Sequence, residues 1–173
     1  MIHTTYQSGI YQLKTEQIIS ASIEEVWEYF SQPKNLNDLT PPDMGFTITS
    51  AEPPKMYEGQ IVTYKIEILP GINQSWVTEI KHVENQKLFI DEQRFGPYAM
   101  WHHQHHFETI SDKQVKMNDI VSYKLPLGFI GNLVAGKMIK KRVHDIFAYR
   151  HQKISEIFGE PYINDTEYLL KVH

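Results

Sequence analysis

From Phe46 to Leu125 apolar and polar residues alternate in run after run, the period-two pattern of strands that bury one face. Val62, Tyr64, Ile66 and Ile68 alternate with Thr63, Lys65 and Glu67, and Trp76, Thr78, Ile80 and His82 with Val77, Glu79, Lys81 and Val83. Trp101, His103, His105 and Phe107 oppose His102, Gln104, His106 and Glu108; Val115, Met117, Asp119, Val121 and Tyr123 then share a face against Lys116, Asn118, Ser122 and Lys124. Pro70-Gly71, Glu84-Asn85, Gly96-Pro97 and Ser111-Asp112 are turn signals, so this region predicts about six consecutive strands. An earlier strand is predicted over Ile10–Ser20, with Tyr11, Leu13, Thr15, Gln17 and Ile19 on one side.

Elsewhere the period is helical. Ser22 is a suitable N-cap, Glu24 and Glu25 suit the positive end of the helix dipole, and Ile23, Val26, Trp27 and Phe30 form an apolar stripe that Pro33 ends. A second short helix is expected over Lys34–Thr40, before the Pro41-Pro42 break. After Pro126, apolar residues recur at three- and four-residue steps from Phe129 to Ile157, predicting a helix over about Phe129–Phe158, ~45 Å long. Gly159 and Pro161 stop it, and the tail Tyr162–His173 carries no readable pattern. An antiparallel sheet with one apolar face, and one helix long enough to cover it, make an α+β fold.

The 173 residues suit a single domain spanning 1–173, with its core at about 9–158, and 41% hydrophobic with 22% charged residues is ordinary for a globular chain. A net charge of −4 without a basic cluster argues against nucleic acid. No apolar run reaches spanning length, so stable membrane insertion is not expected. The absence of cysteine excludes disulfides, thiolate metal sites and a cysteine nucleophile, and with no visible secretory signal the expected location is the cytoplasm. Neither a G-x-S-x-G elbow nor a phosphate-binding glycine motif is present.

Chemistry concentrates in DEQRFGPYAMWHHQHHF, Asp91–Phe107. Burying two imidazoles beside a tryptophan costs free energy unless each ring nitrogen finds a partner, which suggests a polar-lined cavity rather than a plain core.

The order of strand, two helices, about six strands and one long helix is that of the helix-grip fold. With it, the sequence resembles the SRPBCC superfamily, which includes START domains, the birch-pollen allergen family and polyketide cyclases. The resemblance covers about Gly9–Phe158 and is nearest to bacterial ligand-binding SRPBCC proteins of unassigned activity. Its carriers are EVWEYFSQPKNLNDLTPPDMGF (Glu25–Phe46), PGINQSWVTEI (Pro70–Ile80), DEQRFGPYAMWHHQHHF and NDIVSYKLPLG (Asn118–Gly128). It implies a curved sheet of about seven strands wrapped around the C-terminal helix, enclosing a cavity for a small hydrophobic or amphipathic molecule. No cofactor is implied.

His103 and His105 share a strand face, and Asp119 joins them if the intervening hairpin has an odd-length turn. In the preferred reading Asp119 and Tyr123 hydrogen-bond the imidazoles and all four line the cavity. An acid/base role for His103 or His105 oriented by Asp119 comes second, giving a cyclase- or dehydrase-like enzyme as the alternative function. A Zn²⁺ or non-haem iron site on these three residues comes last, and no metal is assigned. The facing of Asp91, Glu92 and Gln93 is open: a four-residue loop Gly96–Ala99 brings Glu92 beside His103, an odd loop brings Gln93. Tyr64, Trp76, Tyr98 and Trp101 offer ring faces to a ligand or simply fill the core. Arg150, on the helix stripe with Val143, Ile146, Phe147 and Ile154, meets either a ligand carboxylate or a buried Asp or Glu. Pro126, Leu127, Phe129 and Ile130 form either a lid or a helix-docking surface.

Overall fold

The computed structural model describes residues 2–51, 55–69 and 71–160, with side chains at all of these except 68, 69, 72, 128–130 and 132. The expectations for Pro70, Pro161, the tail Tyr162–His173, and the side chains of Ile68, Phe129 and Ile130 lie outside the described residues.

The chain opens with a hairpin, β1 (Ile2–Gln7) and β2 (Ile10–Ile19). Ser8 and Gly9 both take positive φ, 52° and 84°, as a two-residue turn matched to strand twist requires. The helix α1 (Ile23–Phe30) starts with a full capping box: Ser22 Oγ accepts from the Glu25 N–H, and the Glu25 carboxylate accepts from the Ser22 N–H at 3.0 Å. The expected second helix is instead two 3-10 turns, Pro33–Leu36 and Pro42–Met44, because Pro33 opens one and the Pro41-Pro42 pair starts another before an α-helical ladder can form. Six strands follow: β3 (Thr47–Ile48), β4 (Ile61–Leu69), β5 (Ile72–Glu84), β6 (Leu88–Phe95), β7 (Met100–Ser111) and β8 (Gln114–Lys124). The helix α2 (Gly128–Phe158) ends the described chain. Gly131 is required at its start, since a Cβ there would lie 2.0 Å from the Pro126 carbonyl oxygen.

All eight strands form one antiparallel sheet in the order β1-β2-β8-β7-β6-β5-β4-β3. The strand beyond the expected seven is β1, whose sequence IHTTYQ lacks an apolar alternation because it is an exposed edge. The inward faces of β4, β7 and β8 are those the alternation predicts, with Val62, Tyr64, Ile66, His103, His105, Phe107, Val115, Met117, Asp119, Val121 and Tyr123 all buried. On β5 the pattern breaks. A register shift between Ile80 and His82 turns His82 outward to pair with Glu58 at 2.6 Å, and Val83 packs on the core in its place.

The long helix lies against the concave side through Val143, Phe147, Arg150 and Ile154. Polar residues of β2 fix it: Thr15 Oγ1 contacts His151 Nε2, and Gln17 Nε2 donates to the His151 carbonyl at 2.9 Å and to Ser155 Oγ at 3.3 Å. Leu127, Leu133, Val134 and Met138, at the beginning of the helical stripe, are exposed. No helix among the described residues is long and apolar enough to cross a membrane.

Candidate functional site

Between the sheet and α2 lies a cavity of about 190 Å³. Its walls come from β4–β7, from α2, and from the segment around the two 3-10 turns, where Leu39, Met44 and Phe46 contribute apolar surface. Arg142 of α2 bridges to Asp43 at 2.8 Å on the same side. Tyr64, Trp76, Tyr98 and Trp101 all line this space in an edge-to-face and stacked cluster, Trp76 and Trp101 meeting at 5.3 Å and 85°. The Tyr64 hydroxyl is 2.6 Å from Thr78 Oγ1, and burial pushes the Tyr64 and Tyr98 phenols up, so both are neutral. A second cavity of about 300 Å³, between the 96–99 loop and the start of α2, is walled by Pro97, Leu125, Pro126, Val134 and Ile139 and has no charged residue among the described residues of its lining.

One wall of the first cavity is polar. Asp91, His103, His105 and Arg150 all reach it. The register pairs Asp91 with His103 and Glu92 with His102, so the carboxylate beside His103 belongs to Asp91, and neither Glu92 nor Gln93 takes that place. Glu92 lies on the opposite face, its Oε1 2.8 Å from His102 Nδ1. Gln93 ties the 96–99 loop to β6 instead, donating to the Tyr98 carbonyl at 2.7 Å and accepting from the Tyr98 N–H at 3.2 Å. That clamp lets β6 leave the β7 ladder after Glu92, a loop longer than the four residues a tight hairpin would use.

Asp119 is brought opposite His105 by a device other than an odd-length turn. The turn Asp112-Lys113 has two residues, and a bulge between Thr109 and Ser111 supplies the extra one. Asp119 does not line the cavity but sits behind the imidazoles: its Oδ1 is 3.1 Å from His103 Nε2 and 2.9 Å from His105 Nδ1. In front, Asp91 Oδ2 is 3.0 Å from His105 Nε2 and 3.7 Å from His103 Nδ1. Arg150 places Nε 3.8 Å from Asp119 Oδ2 and its guanidinium over the Phe30 and Phe147 rings at 5.4 and 5.9 Å. Tyr123 is not a partner of the imidazoles. It is wholly buried, stacked on Tyr11 at 5.1 Å, and its hydroxyl has no hydrogen-bond partner among the described residues.

Electrostatics follow from this packing. Burial opposes ionisation of Asp119, but Arg150 and then the hydrogen bonds from His103 and His105 outweigh it and hold the carboxyl well below its ordinary range. Asp91 is likewise lowered against its burial, by the His105 hydrogen bond and by nearby positive charge. Burial, reinforced by His105, pushes His103 down to about 4 despite Asp119 and Asp91, so its imidazole is neutral at pH 7. Three ring nitrogens face carboxylate oxygens at 2.9–3.1 Å, and each such approach is attractive only with a proton between the atoms. His105 Nδ1 is also 3.4 Å from Arg150 Nη2, which can only donate, so the tautomer of His105 sets whether that nitrogen accepts from Arg150 or donates toward Asp119.

No protein-family model and no curated protein sequence matches the chain. Solved structures do. An aromatase/cyclase, ZhuI, from Streptomyces sp. R1128 aligns with a TM-score of 0.65 at 14% identity, over 84% of this chain and 91% of that one. A START superfamily protein from Mycobacterium smegmatis gives 0.65 at 11%, over 85% and 96%, and norcoclaurine synthase from Thalictrum flavum gives 0.62 at 16%, over 91% and 96%. At such identities the likeness is one of architecture. The chain has a helix-grip fold like that of these structures.

Proposed function

We propose that the protein binds a small amphipathic molecule in the cavity between sheet and C-terminal helix, within the cytoplasm. One observation carries the reading: among the described residues Trp76 Nε1 and Arg150 Nε are buried donors without a hydrogen-bond partner, and both side chains line an otherwise largely apolar cavity. A buried unpaired donor costs about 1–3 kcal/mol, and a ligand oxygen placed between aromatic walls would remove that cost. The volume of 190 Å³ lies below the ~300–1,000 Å³ of drug-sized sites, favouring a ligand of one ring or a short chain. Isothermal titration with 4-phenylbutan-2-one and with butylbenzene tests this. The ketone should bind about 3–10-fold more tightly, as one net hydrogen bond requires, and the preference should vanish in Trp76→Phe. Equal binding of both compounds, or of neither, would overturn the reading.

A second reading, a cyclase- or dehydrase-like enzyme, is favoured by one feature, the place of His105 on the cavity wall with ring nitrogens 3.0 Å from Asp91 Oδ2 and 2.9 Å from Asp119 Oδ1, from which it can pass a proton. A group that can deliver or accept that proton is suited to enolising a bound carbonyl compound and is worth about 10²–10⁴ in rate. Hydrogen–deuterium exchange at the α-carbon of the bound ketone is its assay. Exchange that continues unchanged in the His103→Ala, His105→Ala double variant would remove it.

A further inference from the structure

The polar wall has a second possible occupant besides a ligand's oxygen. Asp91 on β6 and His103 and His105 on β7 each offer one ligand atom, all within 4.8 Å of one another, and all three side chains face the cavity. We propose that Asp91, His103 and His105 bind one divalent transition-metal ion of the Zn²⁺ or Fe²⁺ class, with Asp119 as the brace that orients both imidazoles and the cavity supplying the open coordination position.

Four features argue for it. The first is spacing: donors about 2.0–2.1 Å from a tetrahedral ion stand ~3.3 Å apart, and Asp91 Oδ2 stands 3.0 Å from His105 Nε2 and 3.7 Å from His103 Nδ1. The second is tautomer control. Asp119 Oδ1 reaches the rear nitrogen of both rings and can hold their protons there once an ion takes His103 Nδ1 and His105 Nε2 in front, serving as the outer-shell carboxylate that metal-bound histidines commonly have. The third is access, since all three ligand residues line the cavity and the ion is reached from that side. The fourth is ligand type: two imidazoles and one carboxylate without thiolate suit zinc or non-haem iron more than calcium or magnesium, which take oxygen.

Charge sets what the open position takes. With neutral imidazoles, Asp91 and Asp119 contribute −2 and Arg150 +1; a divalent ion makes the buried group +1, to be balanced by an oxygen anion such as hydroxide, enolate or phenolate. Arg150, whose Nε makes no hydrogen bond among the described residues, is on the same wall to receive it. Metal binding stands apart from the ligand reading, since it needs only the protein and the ion.

The test uses the full chain without an affinity tag, stripped with EDTA and titrated with Zn²⁺ and Co²⁺ by calorimetry and visible absorption. One equivalent should bind, with the intense visible bands of low-coordinate Co²⁺. Asp91→Asn and His105→Gln should abolish it, while Asp119→Asn should keep the stoichiometry and weaken affinity about 10–100-fold. Imidazole NMR signals of the unmutated protein give a second readout that no folding defect disturbs: Zn²⁺ should shift His103 and His105 and leave exposed His82 and His144 in place. No stoichiometric binding of Zn²⁺, Co²⁺ or anaerobic Fe²⁺, binding undiminished in Asp91→Asn, or shifts confined to surface histidines would each overturn the proposal.

Discussion

Removing Asp119 is the most informative single perturbation of this molecule, because Asp119 faces Arg150 on one side and two imidazoles on the other while all four side chains are buried. In Asp119→Ala the Arg150 guanidinium is left in a site that is 6% exposed, with the Phe30 and Phe147 rings, the neighbouring His105 imidazole and a more distant Asp91 to offset its lost hydration. Breaking a buried pair on one side costs about 3–5 kcal/mol. An unfolding entropy of about 2.1 cal/mol/K per residue over 173 residues gives ~0.36 kcal/mol/K, so the melting temperature should fall by about 8–14 °C. The melts are run in EDTA, which keeps metal linkage out of the comparison.

The companion variant decides between a charge effect and a packing effect. Arg150→Met in the Asp119→Ala background removes the stranded cation and should recover at least half of the loss, giving a coupling energy of about 2 kcal/mol or more in the double-mutant cycle. If Asp119→Ala costs under about 1 kcal/mol, or if the two substitutions simply add, Arg150 and Asp119 are not an energetic pair and the electrostatic account of the polar wall fails.

Three further outcomes follow from local contacts. Gly131→Ala should destabilise despite the roughly 1 kcal/mol that alanine gains over glycine in a helix, because its Cβ would meet the Pro126 carbonyl; a raised melting temperature would contradict that. Thr78→Val should cost about 1–3 kcal/mol in urea denaturation by orphaning the buried Tyr64 hydroxyl, and a neutral result would mean that the hydroxyl finds another partner. Burial lowers the affinity of His151 for protons in the fold, so the unfolded chain binds the proton first. Stability should decline as pH falls from about 6.5 toward the lowered folded value, and His151→Gln should make the decline between pH 7 and pH 5 shallower; an unchanged slope refutes it.

How far the sequence led differs between faces and partners. Which residues of β7 and β8 point inward is a matter of parity, and parity survives any local irregularity outside the strand itself; the wall of Trp101, His103, His105 and Phe107 was therefore readable from alternation alone. Parity also explains the miss at His82, where the irregularity lies within β5. Partnership across strands is harder, because it depends on loop length plus every bulge in between. The Asp91–His103 pairing follows from where the Gln93 side chain clamps the 96–99 loop, a tertiary contact that no turn preference encodes. β1 was missed for the opposite reason: its turn signal, Ser8-Gly9, is in the sequence, but an exposed edge has no apolar period to go with it.

The same logic shows how narrowly the polar wall is specified. A two-residue turn at Asp112-Lys113 without the bulge would continue the Ser111–Gln114 pairing down the ladder, place Asp119 opposite His106, and put it on the outer face, since directly opposed residues share a side of the sheet. His103 and His105 would then have lost the carboxylate behind them, and Arg150 its counter-charge. Inserting one alanine between Ile110 and Ser111, beside a bulge residue that is 50% exposed and has no place in the core, tests this, because the same turn and bulge would then give that shifted register. The buried face of β8 would have to exchange Val115, Met117, Val121 and Tyr123 for Lys116, Asn118, Ser122 and Lys124 if the register followed the turn. That exchange would expose four large apolar side chains at about 1.5–3 kcal/mol each, ~6–12 kcal/mol together, a sum comparable to a domain's whole usual stability of about 5–15 kcal/mol. The chain should therefore keep the β7–β8 register and take up the inserted residue in the bulge or turn, leaving Asp119 in place with a modest loss of stability; an insertion variant that folds with its β8 amides paired one residue out of step would refute the claim that the apolar face, rather than the turn, sets the site.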